Sequence, residues 1–197
     1  MANQFVYAVV HDGTGKFLLA RKNQEGFFFF DHRKHRGEIV PNGKELHGAG
    51  DYALPGGGYN SNESVVAGAM REFNEETNFD ISGLQVTPNY FTGTHGKYTY
   101  YGVYVEAANL SDICTPIQGH LDAGTQAAEA VLTGQYRRGD YDQMRQDHPG
   151  CPLDNELDSI DIWDVTDPND WAEIEDFRNR QDTDWFYHIL RHLRDSL

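Results

Sequence analysis

Residues 54–79 read LPGGGYNSNESVVAGAMREFNEETNF. From about Asn62 to Thr77 the pattern has helical period: Val66, Ala69, Met70 and Phe73 recur at three- and four-residue steps and form one apolar stripe that must face a core. Glu72, Glu75 and Glu76 stand together on the neighbouring face, so three carboxylates meet at the edge of that core. Like charges this close repel, more strongly when partly buried, and call for positive charge. Arg71 lies four residues before Glu75 and eight after Glu63 and can pair with either, but one guanidinium does not neutralise all of these carboxylates. Hard oxygen ligands on a rigid helix suit Mg²⁺ or Mn²⁺, with water and substrate phosphate completing the coordination. Ahead of the helix, Gly56, Gly57 and Gly58 follow Pro55. Such a run admits positive φ and close approach to a ligand, and the helix N-terminus behind it favours anions.

This arrangement resembles the signature of the Nudix hydrolases: Gly, five residues, Glu, seven residues, then Arg-Glu-apolar-any-Glu-Glu-any-Gly-apolar. The matching residues are Gly57, Glu63, Arg71, Glu72, Phe73, Glu75, Glu76 and Phe79. Asn78 stands where the family has Gly. The departure is mild, because the position follows a helix end where a left-handed residue is wanted and Asn is the next choice after Gly.

The 197-residue chain, 39% hydrophobic, is long enough to bury a full core and reads as a single domain, 1–197. Its start, MANQFVYAVV, has neither a basic region nor a long apolar run, so the expectation is a cytoplasmic protein without signal peptide or membrane span. A formal net charge of −15 opposes nonspecific binding to nucleic acid or to an anionic membrane. A phosphorylated substrate must therefore be drawn by local features. Cys114 and Cys151 are too few for a disulfide framework and are expected as free thiols.

Taken in order, Phe5–Val10 and Lys16–Arg21 read as strands joined by HDGTG, whose Asp12-Gly13 and Gly15 supply left-handed turn positions. GFFFF (26–30) has strand composition, although four consecutive Phe cannot all point inward in an alternating strand, so one or two are left to line a pocket or a subunit contact. Asp31–Gly50 is polar, with His32, Arg33, Lys34, His35, Arg36 and His47. It reads as a solvated loop, with phosphate contact as the alternative, and its histidines lack zinc-finger spacing. Tyr52–Leu54 should be a short strand, and Leu84–Thr92 and Lys97–Ala107 two more. In the latter Tyr98, Tyr100 and Tyr104 share one side and Tyr101, Val103 and Val105 the other. Either row is a candidate base-stacking surface, with core packing the ordinary role.

Residues 109–155 exceed a minimal Nudix pattern and read as an insertion. Its part 125–146 is helical with breaks at Gly134 and Gly139, and 148–155 is a turn-rich return. Connections of this length are commonly lids or binding loops. Glu156–Val165 resembles the late Nudix strand, where a preceding acidic residue often assists the metal, leaving Asp154, Glu156 and Asp158 as unranked candidates. Helices are expected at Asp170–Arg178 and Trp185–Leu193.

The resemblance implies an α/β/α sandwich with a mixed central sheet and a helical insertion. It further implies hydrolysis of a nucleoside diphosphate linked to another moiety, or of a nucleoside triphosphate. Glu72, Glu75 and Glu76 would hold Mg²⁺ or Mn²⁺, with Glu76 the leading ligand and Glu72 either a ligand or the base. Arg71 and Glu63 would orient these carboxylates, and Gly57 and Gly58 would shape the substrate loop. Members of such families often pair, which leaves a homodimer open. Other readings of the same fold are a nucleotide-binding or regulatory module without turnover, and an isomerase of a phosphorylated substrate.

Overall fold

Alternating branched and aromatic residues set the strands. In the computed structural model, which describes residues 3–32, 34–180 and 183–197, β1 (Asn3–His11) and β2 (Lys16–Lys22) pair antiparallel across a tight turn. There Gly13 and Gly15 take φ of 75° and 125°, and Asp12 Oδ1 accepts from the amides of Thr14 and Lys16. Arg33, part of the basic tract, lies outside the described residues. β3 (Glu25–Asp31) and β4 (Arg36–Glu45) form a separate two-stranded sheet. The short strands β5 (Tyr52–Ala53), β6 (Gly56–Gly58), β7 (Gln85–Val86) and β8 (Phe91–His95) join a larger sheet with β9 (Tyr98–Glu106) and β10 (Leu157–Asp164). Its order is β10-β2-β1-β9-β7, with β9 parallel to β1 and the other pairs antiparallel. Away from β9, the β1 ladder is shared: Phe5, Val6 and Tyr7 pair with the glycines of β6, while His11 pairs with Phe17 of β2. The glycine run is thus wedged into the sheet itself.

Successive side chains of β1, β2 and β9 go to opposite faces. Val6, Ala8, Val10, Leu18, Ala20, Val103 and Val105 pack with Ala69 and Phe73 of α1 (Val65–Thr77) and with Ile113, Ile117 and Leu121 of α2 (Ser111–Leu132). Beyond α3 (Tyr141–Asp147), two more helices cover the other face, α4 (Pro168–Phe177) and α5 (Asp184–Asp195), over Val9, Phe17, Leu19, Tyr100 and Tyr104. The result is an α/β/α sandwich with a mixed sheet, as the sequence implied. Of the row Tyr98, Tyr100 and Tyr104, the last two are buried on the α4–α5 face, where Tyr104 donates to the Ile189 carbonyl at 2.8 Å, while Tyr98 is half-buried.

Several expectations are corrected. α1 starts at Val65 rather than near Asn62, because the Ser64 side chain caps it by accepting from the Ala67 amide. Leu84–Thr92 is two strands, β7 and β8, interrupted around Pro88, which has no N–H for a ladder. The tract 31–50 is no solvated loop: β4 occupies half of it, with Ile39 fully buried. Phe27 and Phe28, adjacent in β3, are both buried because the β3–β4 register slips between Gly26 and Phe28.

Residues 109–155 begin their helix well before Thr125, with Pro116 accommodated inside α2. The first half of α2 belongs to the α1 layer. Its second half, Ala127, Ala128, Ala130 and Val131, joins Tyr141 and Met144 of α3 in a separate core against Phe27, Phe28 and Ile39 of the hairpin. These helices pack on the sheet and the hairpin. Cys114 and Cys151 are free thiols, and no described helix is long and apolar enough to cross a membrane.

Candidate active site

The glycine loop and α1 interlock through absent side chains. A Cβ on Gly56 would lie 2.2 Å from the Val6 carbonyl oxygen, and one on Gly57 only 2.4 Å from Glu72 Oε2. Close approach, and not positive φ, is what demands Gly57. Gly58 faces open space, and its carbonyl accepts from Arg71 Nη2 at 3.0 Å. Arg71 is the hub: Nε and Nη2 donate to the two oxygens of Glu63 at 3.0 and 2.8 Å, and Nη1 donates to Glu72 at 2.7 Å and Glu75 at 3.1 Å. Glu63 also takes the Asn60 amide at 3.0 Å. Arg71 therefore pairs with Glu63 and Glu75 at once, where the spacing left the choice open. Glu76 Oε2 accepts from the Gly56 amide at 2.9 Å, tying helix to loop. Asn78 ends α1 at φ 52° and ψ 28°, the left-handed cap its place in the motif calls for.

The return segment after α3 completes the cluster. The amides of Leu153 and Asp154 donate to the Glu75 carbonyl, Asn155 exchanges bonds with Phe27 and Phe28, and Asp154 Oδ1 accepts from the Phe30 amide. Glu156 pairs with Lys22 at 2.9 Å. Of the late acidic candidates, Asp154 and Glu156 thus come to the α1 carboxylates, whereas Asp158 is exposed beside Arg21 and Gln24. Lys22 and His32 also reach the site; His32 Nδ1 lies 3.0 Å from Glu75 Oε1. The strand pattern held a clue to Lys22, which continues the Leu18–Ala20 side facing α1.

Burial dominates the electrostatics. It pushes the Glu72 carboxyl up to about 7 despite Arg71, with Glu75 and Glu156 adding to the rise. Glu76, buried beside Glu156, and Asp154, buried beside Glu156 and Glu75, are both held well above the usual carboxylate range. The same desolvation, with Glu76, Glu72 and Glu156 nearby, raises the Tyr7 hydroxyl. Burial acts to lower Lys22, but Glu156 and Glu76 outweigh it and raise the ammonium. Glu63 goes the other way: burial works to raise it, yet hydrogen bonds from Arg71 and Asn60 hold it below its ordinary value.

Among the described residues, Arg71 and Lys22 do not balance Glu63, Glu72, Glu75, Glu76, Asp154 and Glu156. No three Asp, Glu, His or Cys side chains converge there as a ready ligand set. The carboxylates instead lean on Arg71, Lys22, His32 and the Gly56 amide. A hard oxygen donor set with excess negative charge, raised by burial toward the proton-binding form, fits a divalent cation, which supplies the missing charge without a proton.

A three-layer fold with a glycine loop wedged into its sheet, backed by a carboxylate-rich helix, defines a class of phosphate-handling enzymes. The NUDIX domain family model matches residues 3–116, and the chain belongs to that family as a Nudix-type hydrolase. The chain is similar to the solved structure of MutT protein from Methanosarcina mazei Go1 at 16% identity and TM-score 0.44, covering 98% of this chain and 94% of that one. A NUDIX hydrolase from Nitrosomonas europaea is similar at 14% identity and TM-score 0.37, over 91% and 90% of the two chains. A bifunctional NMN adenylyltransferase/ADP ribose pyrophosphatase from Francisella tularensis is similar at 16% identity and TM-score 0.35, over 55% of this chain and 28% of that one. No curated protein matches the chain.

Proposed function

We propose that this hydrolase cleaves the pyrophosphate linkage of a nucleoside diphosphate joined to another moiety, or of a nucleoside triphosphate, with Mg²⁺ or Mn²⁺ bound. The observation that carries the reading is the carboxylate cluster in which Glu72, Glu75 and Glu76 are buried and Asp154 and Glu156 half-buried, and whose described cationic partners are too few. Glu76 is the leading ligand, with Glu72 and Glu75 from the same helix and Glu156 and Asp154 from the return segment. When bound, the cation offsets the charge of the phosphoryl oxygens and lowers the pKa of an attacking water.

The chain's own groups supply the rest. Glu72, held by Arg71 Nη1 at 2.7 Å, is either a further ligand or the base that takes the proton from the attacking water. Arg71 and Glu63 fix the direction in which Glu72 and Glu75 point, and the missing Cβ of Gly57 lets Glu72 lie against the loop. Lys22 holds Glu156 in place.

The test is a panel of nucleotides and nucleotide sugars with and without Mg²⁺, scored by product release, on wild type and Glu76→Gln. Glu76→Gln removes one ligand charge at constant shape and should lose most activity while keeping its melting temperature. Wild-type turnover by this variant would show the ligand assignment to be wrong.

A further inference from the structure

We propose that the β3–β4 hairpin carries an anion subsite at its tip, built on Lys34 and Arg36, for a phosphoryl group beyond the scissile diphosphate. The site would then favour a nucleoside triphosphate over a diphosphate joined to a neutral sugar. This rests on the pyrophosphohydrolase reading and specifies its substrate class.

The argument starts from charge. In a chain of formal net charge −15, residues 31–36 read DHRKHR, a basic concentration in which Lys34, His35 and Arg36 are exposed. Its placement is fixed. The root of the hairpin is buried through Phe27, Phe28 and Ile39 against α2 and α3. Tyr141 lies so close beneath Gly37 that a Cβ there would come within 2.0 Å of its ring, and the Phe30 ring packs 6.2 Å from that of Tyr141. The return segment that delivers Asp154 and Glu156 also bonds the hairpin, through Asn155 to Phe27 and Phe28 and through Asp154 to Phe30. At the tip, His32 reaches Glu75 at 3.0 Å. Lys34 is two residues further on, at most about 7 Å of chain. His32 thus brings the hairpin tip to the rim of the carboxylate cluster, and Lys34 and Arg36 lie two and four residues further along it.

Their present engagement is weak. Lys34 Nζ meets Asp31 at 2.7 Å, but the side chains are 76% and 41% exposed, and such pairs exchange partners at little cost. A phosphate oxygen offers a stronger, charge-assisted partner, bidentate for Arg36. A triphosphate laid over the carboxylates with its metal leaves one phosphoryl group without a protein cation in the cluster, where Arg71 and Lys22 are already committed to Glu63, Glu72, Glu75 and Glu156. The tip supplies it.

The experiment uses the full chain with Mg²⁺ and, as probes, hydrolysis-resistant methylene-bridged analogues of ADP and ATP, titrated calorimetrically into wild type and the double variant Lys34→Gln/Arg36→Gln. Wild type should bind the triphosphate analogue more tightly, and the variant should lose about tenfold for it alone. Lys34→Arg should restore part of the preference when built with Arg36 intact. Equal binding of the two analogues by wild type, or no binding of either, overturns the proposal. So does a preference that survives in the variant, or an equal loss for both analogues, which would mean that the tip merely offsets the site's own carboxylates. A triphosphate preference in a protein that hydrolyses nothing in the nucleotide panel would keep the subsite and remove the hydrolytic reading instead.

Discussion

Replacing each loop glycine by Ala in turn should separate fold from chemistry within three consecutive residues. At Gly57 the new Cβ would start 2.4 Å from Glu72 Oε2, and reaching ordinary contact at 3.4 Å requires that carboxylate to give by about 1 Å. The clashing atom is the end of a flexible side chain, so the fold absorbs the change, but Arg71 loses its alignment on Glu72. A misplacement of about 1 Å in a reacting group costs about 100-fold in kcat, or about 2.7 kcal/mol of barrier. At Gly56 the new Cβ meets backbone, the Val6 oxygen at 2.2 Å and Tyr7 Cα at 2.7 Å, inside the β1–β6 ladder. That substitution should cost about 1–3 kcal/mol of stability, each kcal/mol lowering Tm by about 2–4 °C. Gly58→Ala meets nothing within 4 Å and should be near neutral in both respects. The assays are thermal unfolding and steady-state hydrolysis of whichever nucleotide the wild type turns over. If Gly57→Ala kept kcat within roughly threefold of wild type, a precise Glu72 position would be irrelevant to the chemistry, and the assignment of that carboxylate would fail.

Other consequences are open to measurement. Asn78→Gly should be neutral or slightly stabilising, whereas Asn78→Val, forced to φ 52°, should cost about 1 kcal/mol or more; an unchanged Val melting temperature would refute the strain. Burial holds the His11 imidazole below its ordinary 6.5 despite Glu106 and Asp12, and its Nδ1 accepts from the Gly13 amide, which requires the neutral ring. Below pH 6.5 the unfolded chain binds more protons than the folded one at this residue, so it contributes full stability above that pH and loses it progressively as pH falls. Unfolding titrations from pH 8 to about 5 should therefore show a shallower acid loss for His11→Gln, and parallel curves would count against the assignment. Asn155→Ala leaves the Phe27 amide without its buried acceptor and should destabilise by about 1–3 kcal/mol while lowering kcat, because the same turn carries Asp154 and Glu156; unchanged kcat would detach those carboxylates from the chemistry.

Much of the sandwich was legible because its signals are local. The apolar runs in 5–10 and 16–21, the alternation in 98–107 and the stripe in 66–73 each act within one element, and the Glu72–Glu75–Glu76 spacing fixes a helical face before any packing is known. What was illegible depended on partners distant in the chain. The strand in 36–45 contains Pro41, Asn42 and Gly43 and acquires its identity only by pairing with β3. The helix α2 carries Pro116, Gly119 and Gly124, each a breaker by propensity, yet Ile113, Ile117 and Leu121 recur at four-residue steps and their burial prevails. At Gly124 the lack of a side chain accommodates Pro152 of the return segment, whose Cδ would lie 3.2 Å from a Cβ there. Asp154 and Glu156 could be named as candidates but not ranked against Asp158, since strand alternation alone does not say where a ladder begins. Leu157 opens β10 with a register slip before Ser159, just where that decision falls.

Because α2 is a continuous rod rooted in the sandwich at one end and in the hairpin core at the other, the material that forms the arm is split in sequence yet single in space. Residues 25–45 and the stretch from about Ala123 to Glu156 share one apolar interior and one set of cross-bonds, so neither can be inherited, transplanted or trimmed alone without exposing the other's apolar face. In a recombined chain the smallest exchangeable part is this discontinuous pair, and the boundaries that respect it fall after Lys22, before Tyr52, within α2 near Leu121 and at the start of β10. A chimera cut elsewhere would expose Phe27, Phe28 and Ile39 to water, an aggregation-prone surface beside an intact sandwich.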